Sequence, residues 1–211
     1  MLDGLSKHLI DPIWEVIATP FVKLKFTPNQ VTMLGLILVV LVVLAFLWHG
    51  STLVFGLTLA VAFAFDSLDG AVARRRGMQS KFGGYLDAII DRYQELIVFI
   101  ALGYFTGQGL LAMLAFSGGV FTSYAKARTA IEAPVSNENW PDLFERLERV
   151  IFLCALLLLD GAVACIWGRS AWILIAGLGL YAALAHATAL QRTLRAGRFL
   201  RSLDAKGNKT R

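Results

Sequence analysis

Two pairs of carboxylates carry the chemistry of this chain: Asp66 with Asp69, then Asp87 with Asp91. The first pair is spaced i, i+3 and the second i, i+4, so on helices each pair projects from one face with its members close in space. Two such helices packed face to face collect four oxygen-rich side chains. Left unscreened, four like charges repel one another; hard divalent cations remove the repulsion, and carboxylates select Mg²⁺, Mn²⁺ or Ca²⁺ over softer metals. Mg²⁺ takes only a few carboxylates and completes its shell with substrate phosphate oxygens, so a metal-bridged diphosphate substrate is implied. Gly70 and Ala73 leave the face shared by Asp66 and Asp69 nearly bare, which lets a ligand approach the backbone closely. Arg74 sits one turn further on, placed for a phosphate or a base edge. Gly83 opens the second helix, whose N-terminus offers amide hydrogens and a positive dipole end to an anion.

The elements that must position these groups read as membrane helices. Of 211 residues 57% are hydrophobic and 17% charged, too apolar for an ordinary soluble domain. Six spans are expected, at about 31–48, 52–73, 84–105, 109–130, 147–167 and 171–192, each long enough for a hydrocarbon core of ~30 Å. The four Asp lie at the ends of the second and third. A single Asp at such an end is ordinarily just solvated; four in fixed order with two Gly, an Ala and an Arg form a functional-site pattern. The chain thus reads as an all-α integral membrane protein of six transmembrane helices plus an N-terminal amphipathic interfacial helix. Its divisions are a juxtamembrane segment over 1–26, a catalytic membrane domain over 27–195 and a basic tail over 196–211.

In the juxtamembrane segment Leu9, Ile10, Ile13, Trp14, Ile17 and Phe21 recur at helical spacing, interrupted by Lys7, Asp11 and Glu15, and Pro20 is expected to break the helix. Thr27 and Pro28 form an N-cap and first helical position for the first span. Lys and Arg concentrate before the first span, between the second and third, between the fourth and fifth, and in the tail, where seven of the last twenty residues are basic. The opposite connections carry only Arg169, so both termini and the Asp cluster are expected to be cytoplasmic. The net charge of +5 comes largely from the tail, which suits anionic lipid headgroups; with Phe199 as its one aromatic it does not suit nucleic acid. Cys154 and Cys165, in one predicted span, read as apolar filler, and His8, His49 and His186 are too scattered for a metal site. Ser117-Gly118-Gly119 and Gly177-Leu178-Gly179 read as close helix packing, and such faces are compatible with a homodimer.

The string from Asp66 to Asp91 resembles, at every specified position, the DxxDGxxARx8GxxxDxxxD signature of the CDP-alcohol phosphotransferase family. The resemblance implies an integral membrane enzyme that breaks a CDP-linked pyrophosphate, releases CMP and makes a phosphodiester lipid. It implies that Asp66, Asp69, Asp87 and Asp91 hold Mg²⁺, or Mn²⁺ in its place, as two ions, and that Asp91 is the general base. Asp69, Gly70, Ala73, Arg74 and Gly83 would seat the cytidine diphosphate. Thr27-Pro28-Asn29-Gln30-Val31-Thr32 is similar to the family segment that opens the first membrane helix beside the nucleotide, which adds Asn29 and Thr32 to that pocket.

The acceptor is addressed by a second region. Tyr124-Ala125-Lys126-Ala127-Arg128 ends one predicted helix and Glu145-Arg146-Leu147-Glu148-Arg149 begins the next. Positive-inside flanking alone accounts for these basic residues, but Lys126 and Arg149 fall where helix ends face the Asp cavity, and Glu145 is spaced i, i+4 to orient Arg149. Both patterns resemble family members that make phosphatidylinositol phosphate. That resemblance implies Lys126, Arg128, Arg149 and Arg192 as a cradle for an acceptor phosphate, and CDP-diacylglycerol as donor. Glycerol 3-phosphate as acceptor, or a CDP-alcohol as donor to diacylglycerol, stays open within the family. Outside it, a polyprenyl-type transferase would want a longer chain, and a metal transporter would place its charges near the bilayer midplane.

Overall fold

The computed structural model describes residues 17–66, 68–133, 143–168 and 172–207. The described residues form seven long helices and no strand. They are α1 (Pro28–His49), α2 (Thr52–Asp66), α3 (Leu68–Arg76), α4 (Lys81–Thr106), α5 (Gly109–Glu132), α6 (Arg146–Trp167) and α7 (Trp172–Gly207). Among the described residues five stretches are long and apolar enough to cross a membrane: α1, Thr52–Arg76, α5, α6 and Trp172–Ala205 of α7. The third expected span corresponds to α4, which has 26 residues and the length to cross, but Asp87, Asp91, Arg92 and Glu95 interrupt its apolar run. Large apolar side chains such as Leu41, Leu57, Ile100 and Leu159 point outward; on a water-exposed surface that pattern is a liability, whereas lipid tails solvate it.

Local sequence explains the helix ends nearest the Asp residues. Thr27 caps α1 in a reciprocal box with Gln30, and Pro28 fills the first turn as expected. Ser80 caps α4 by accepting from the Gly83 amide at 3.0 Å. Residues 1–16, which hold most of the expected amphipathic helix, lie outside the described residues. Residues 17–23 are helical, and Pro20 does not end this helix as expected. Its missing N–H affects only the turn before it, while its carbonyl accepts from Leu24 at 2.9 Å. The turn after it closes at Lys25, a non-glycine in the left-handed region at φ 61°. Arg76 donates to the carbonyls of Lys25 and Phe26, at 2.9 and 2.5 Å, and Arg75 to Thr19 at 2.7 Å. The basic run after the Asp66 pair therefore docks the juxtamembrane segment, alongside a small apolar cluster of Ala18, Val31, Leu68, Ala71 and Val72.

Close approach without side chains builds the rest of the bundle. Gly118 on α5 faces Ala185 on α7, with room for no methyl group: a Cβ there would lie 2.7 Å from the Ala185 Cβ. A Cβ at Gly161 on α6 would collide with the Leu53 backbone, and one at Gly177 with Leu156. Lipid gives helices no hydrophobic reason to associate, so contact of this kind supplies the attraction. Buried Asp160 on α6 accepts from the Thr52 hydroxyl at 2.8 Å and the Leu174 amide at 3.2 Å, joining α2, α6 and α7. The last helix runs fifteen residues beyond the expected span, to Gly207. Hydropathy ends where the membrane does, but no Pro follows to stop the helix.

Candidate active site

The two acidic helices meet the start of α1. On α3, half-buried Asp69 accepts from the Thr32 hydroxyl at 2.5 Å. The same hydroxyl lies 3.2 Å from the Pro28 carbonyl, so Thr32 is a buried support for Asp69. Asn29 reaches across to α4: its Oδ1 would sit 3.5 Å from a Cβ at Gly83. The bare backbone at Gly83 thus lets α1 and α4 come together, while its amide is occupied by the Ser80 cap. Beside them a cleft of about 360 Å³ is lined by Phe26, Asn29, Gln30, Met33, Leu34 and Ile37. Gly70 keeps its face open: among the described residues only the Arg74 guanidinium is within reach of a Cβ, at 3.6 Å. Ala73 is half-buried and Arg74 exposed.

Asp87 and Asp91 follow on α4, half-buried and 7% exposed respectively. Asp91 is ion-paired with Arg146 from the first turn of α6, and Arg92 lies 3.8 Å from its other oxygen. The Asp66 side chain lies outside the described residues. Among those described, no three acidic, His or Cys side chains close on one metal position. The donor set nevertheless suits a hard divalent ion: Asp69 and Asp87 are carboxylates on adjoining helices, and Thr32 steadies the first with a hydrogen bond of the kind that orients metal ligands.

Of the expected acceptor residues, the structure draws two inward. Arg149 is 2% exposed; it lies 3.4 Å from Glu95 and donates to the Phe144 carbonyl at 3.3 Å. Arg192, buried on α7, donates to the Thr122 carbonyl at 2.8 Å and lies 3.8 Å from Glu145. Glu145 therefore reaches Arg192, while Arg149 turns to Glu95. Lys126 is half-buried near the end of α5. Arg128 is on another face, paired with Glu132 at 2.5 Å and lining a cavity of about 620 Å³ with Tyr124, Thr129, Thr193, Ala196 and Leu200. His186 is used in packing, close to the Leu114 carbonyl at 3.0 Å.

Sequence reasoning passed over Glu95 and Arg146. The signal for Glu95 was available: Asp87, Asp91 and Glu95 form an unbroken i, i+4, i+8 ladder on one helix face.

Thr32→Val tests the support of Asp69. It removes the hydroxyl at constant shape, and the Mg²⁺ concentration for half-maximal activity is expected to rise roughly tenfold. A metal titration that superimposes on wild type would rule this role out.

Carboxylates beside buried guanidiniums in an apolar helical bundle suit phosphate groups and a hard divalent ion. Residues 25–188 match the CDP-alcohol phosphatidyltransferase family, and the chain belongs to it. It is an integral membrane transferase of phospholipid synthesis. The chain is 34% identical, over 89% of its length and 88% of the relative, to archaetidylinositol phosphate synthase of Methanothermobacter thermautotrophicus. Its fold is similar to that of Mycobacterium tuberculosis phosphatidylinositol phosphate synthase with CDP-DAG bound, with a TM-score of 0.75, 26% identity and coverage of 88% of this chain and 94% of that one. The same enzyme in complex with manganese and citrate superimposes with a TM-score of 0.74 at 26% identity, covering 87% of this chain and 88% of that one.

Proposed function

We propose that this chain transfers a phosphatidyl group from CDP-diacylglycerol to a hydroxyl of an inositol phosphate, releasing CMP. The observation that carries the acceptor is Arg149. A guanidinium 2% exposed, on the same helix as the Arg146 that pairs with Asp91, is costly to desolvate and suits an anionic group on the acceptor. Serine or free inositol has no use for it. Relatives named for inositol phosphate lipids support the same choice.

Asp91 takes the proton from the acceptor hydroxyl as that oxygen attacks the lipid-side phosphorus. The phosphorus–oxygen bond to CMP breaks, and CMP leaves. Arg146 orients Asp91, and Arg149, Arg192 and Lys126 hold the acceptor phosphate. Asn29, Thr32, Asp69, Gly70, Ala73, Arg74 and Gly83 border the nucleotide, with Gly70 giving it access to bare backbone. Asp66, Asp69, Asp87 and Asp91 would hold two Mg²⁺ ions, whose charge offsets that developing on the leaving CMP. The chain crosses the membrane six times, α4 included, with both termini and the Asp cluster cytoplasmic; the distribution of Lys and Arg supports this sidedness.

The test is CMP release by purified protein with Mg²⁺ and CDP-diacylglycerol against inositol phosphate, glycerol 3-phosphate, free inositol and serine. Release with inositol phosphate, abolished by a chelator and restored by Mg²⁺, is expected. Turnover of free inositol or serine in its place overturns the acceptor assignment, and silence across the panel overturns the donor.

A further inference from the structure

We propose that Glu95, outside the Asp motif, is a positioning residue for the acceptor: it fixes the guanidinium of Arg149 in the orientation that receives the phosphate. The inference rests on the reading above, in which Arg149 holds that phosphate.

Glu95 lies one turn beyond Asp91 on α4 and is 5% exposed. Its two oxygens face two different arginines. Oε1 is 3.4 Å from Arg149 on α6, and Oε2 is 3.0 Å from Arg92 on its own helix. Arg92 in turn donates to the Ser123 hydroxyl on α5 at 3.0 Å, so this one carboxylate ties three helices together. Arg149 spends one terminal nitrogen on Glu95 and the other on the Phe144 carbonyl. Its Nε–H is buried and has no hydrogen-bond partner among the described residues. A guanidinium anchored at both terminal nitrogens cannot swing, so its remaining N–H groups, Nε–H among them, keep fixed directions.

The facing wall is shaped for this pair. A Cβ at Gly119 on α5 would lie 3.3 Å from both Arg149 Nε and Glu95 Oε2, so only glycine leaves the ion pair undisturbed. In this cluster Arg92, Arg146 and Arg149 share Asp91 and Glu95.

The experiment uses the full chain and follows CMP release against inositol phosphate at saturating CDP-diacylglycerol. Glu95→Gln is expected to raise the KM for inositol phosphate roughly tenfold, with kcat falling less than about threefold. Because Glu95 acts through Arg149, the effect should largely vanish in an Arg149→Ala background. Gly119→Ala, which pushes on the same pair from α5, should raise that KM about threefold and serves if Glu95→Gln does not fold. An acceptor KM within about twofold of wild type in both variants overturns the proposal. So does a parallel loss in kcat and in the KM of both substrates. If Arg149→Ala raises the acceptor KM while Glu95→Gln and Gly119→Ala do not, the proposal falls and the function stands. If wild type releases no CMP with inositol phosphate, both fall.

Discussion

Asp91→Asn is expected to lower CMP release by a factor on the order of 10²–10⁴ while the protein still binds CDP-diacylglycerol. Asparagine keeps the shape of the side chain and can still accept a hydrogen bond, but it cannot take a proton from the acceptor hydroxyl. The site is 7% exposed and held by Arg146, so water has little room to substitute as base. Retained binding is read from the shift in melting temperature on adding CDP-diacylglycerol, and turnover from CMP. A variant with wild-type turnover would move the base elsewhere, and Glu95, one turn away, would be the next carboxylate to test.

The second large effect is expected at Arg149. Its replacement by Ala removes a charge-assisted contact worth about 1.5–3 kcal/mol, which corresponds to an acceptor KM raised roughly 10- to 100-fold. The KM for CDP-diacylglycerol should move far less. Stability should also fall, toward the lower end of the ~3–5 kcal/mol seen when a buried ion pair loses one partner, because Glu95 keeps Arg92 at 3.0 Å. Arg149→Lys restores the charge without the fork, so it should recover folding more fully than KM. An acceptor KM that does not respond at Arg149 or at Lys126 would remove the phosphate cradle and leave the basic residues as flanking charge.

Where the sequence was informative, a local rule applied. Fixed spacing singled out Asp87 and Asp91 on α4, hydropathy located the apolar helices, and Thr27 with Pro28 marked the start of α1. Long-range electrostatics was not readable in the same way. The i, i+4 rule pairs Glu145 with Arg149, yet Arg149 turns to a carboxylate 54 positions away, because Glu95 lies deeper in the bundle than Glu145. Arg128 shares a motif with Lys126 but lies on another face of α5, which sequence adjacency cannot reveal. The basic run Arg75-Arg76 reads as membrane-flanking charge; its use in gripping the Thr19–Phe26 turn depends on a tertiary approach.

Asp160 and the acidic site stand at opposite ends of the bundle. Thr52, which binds Asp160, begins α2 and Asp66 ends it; fifteen residues at 1.5 Å each separate them by roughly 20 Å. Between the two ends α2, α6 and α7 meet largely through apolar side chains and glycine, which give few directional contacts. Polar fasteners at the two ends add directional restraint to that packing. The Thr52–Asp160–Leu174 junction works as a datum from which α2, α6 and α7 are measured, and it fixes the height at which Arg149 arrives opposite Glu95.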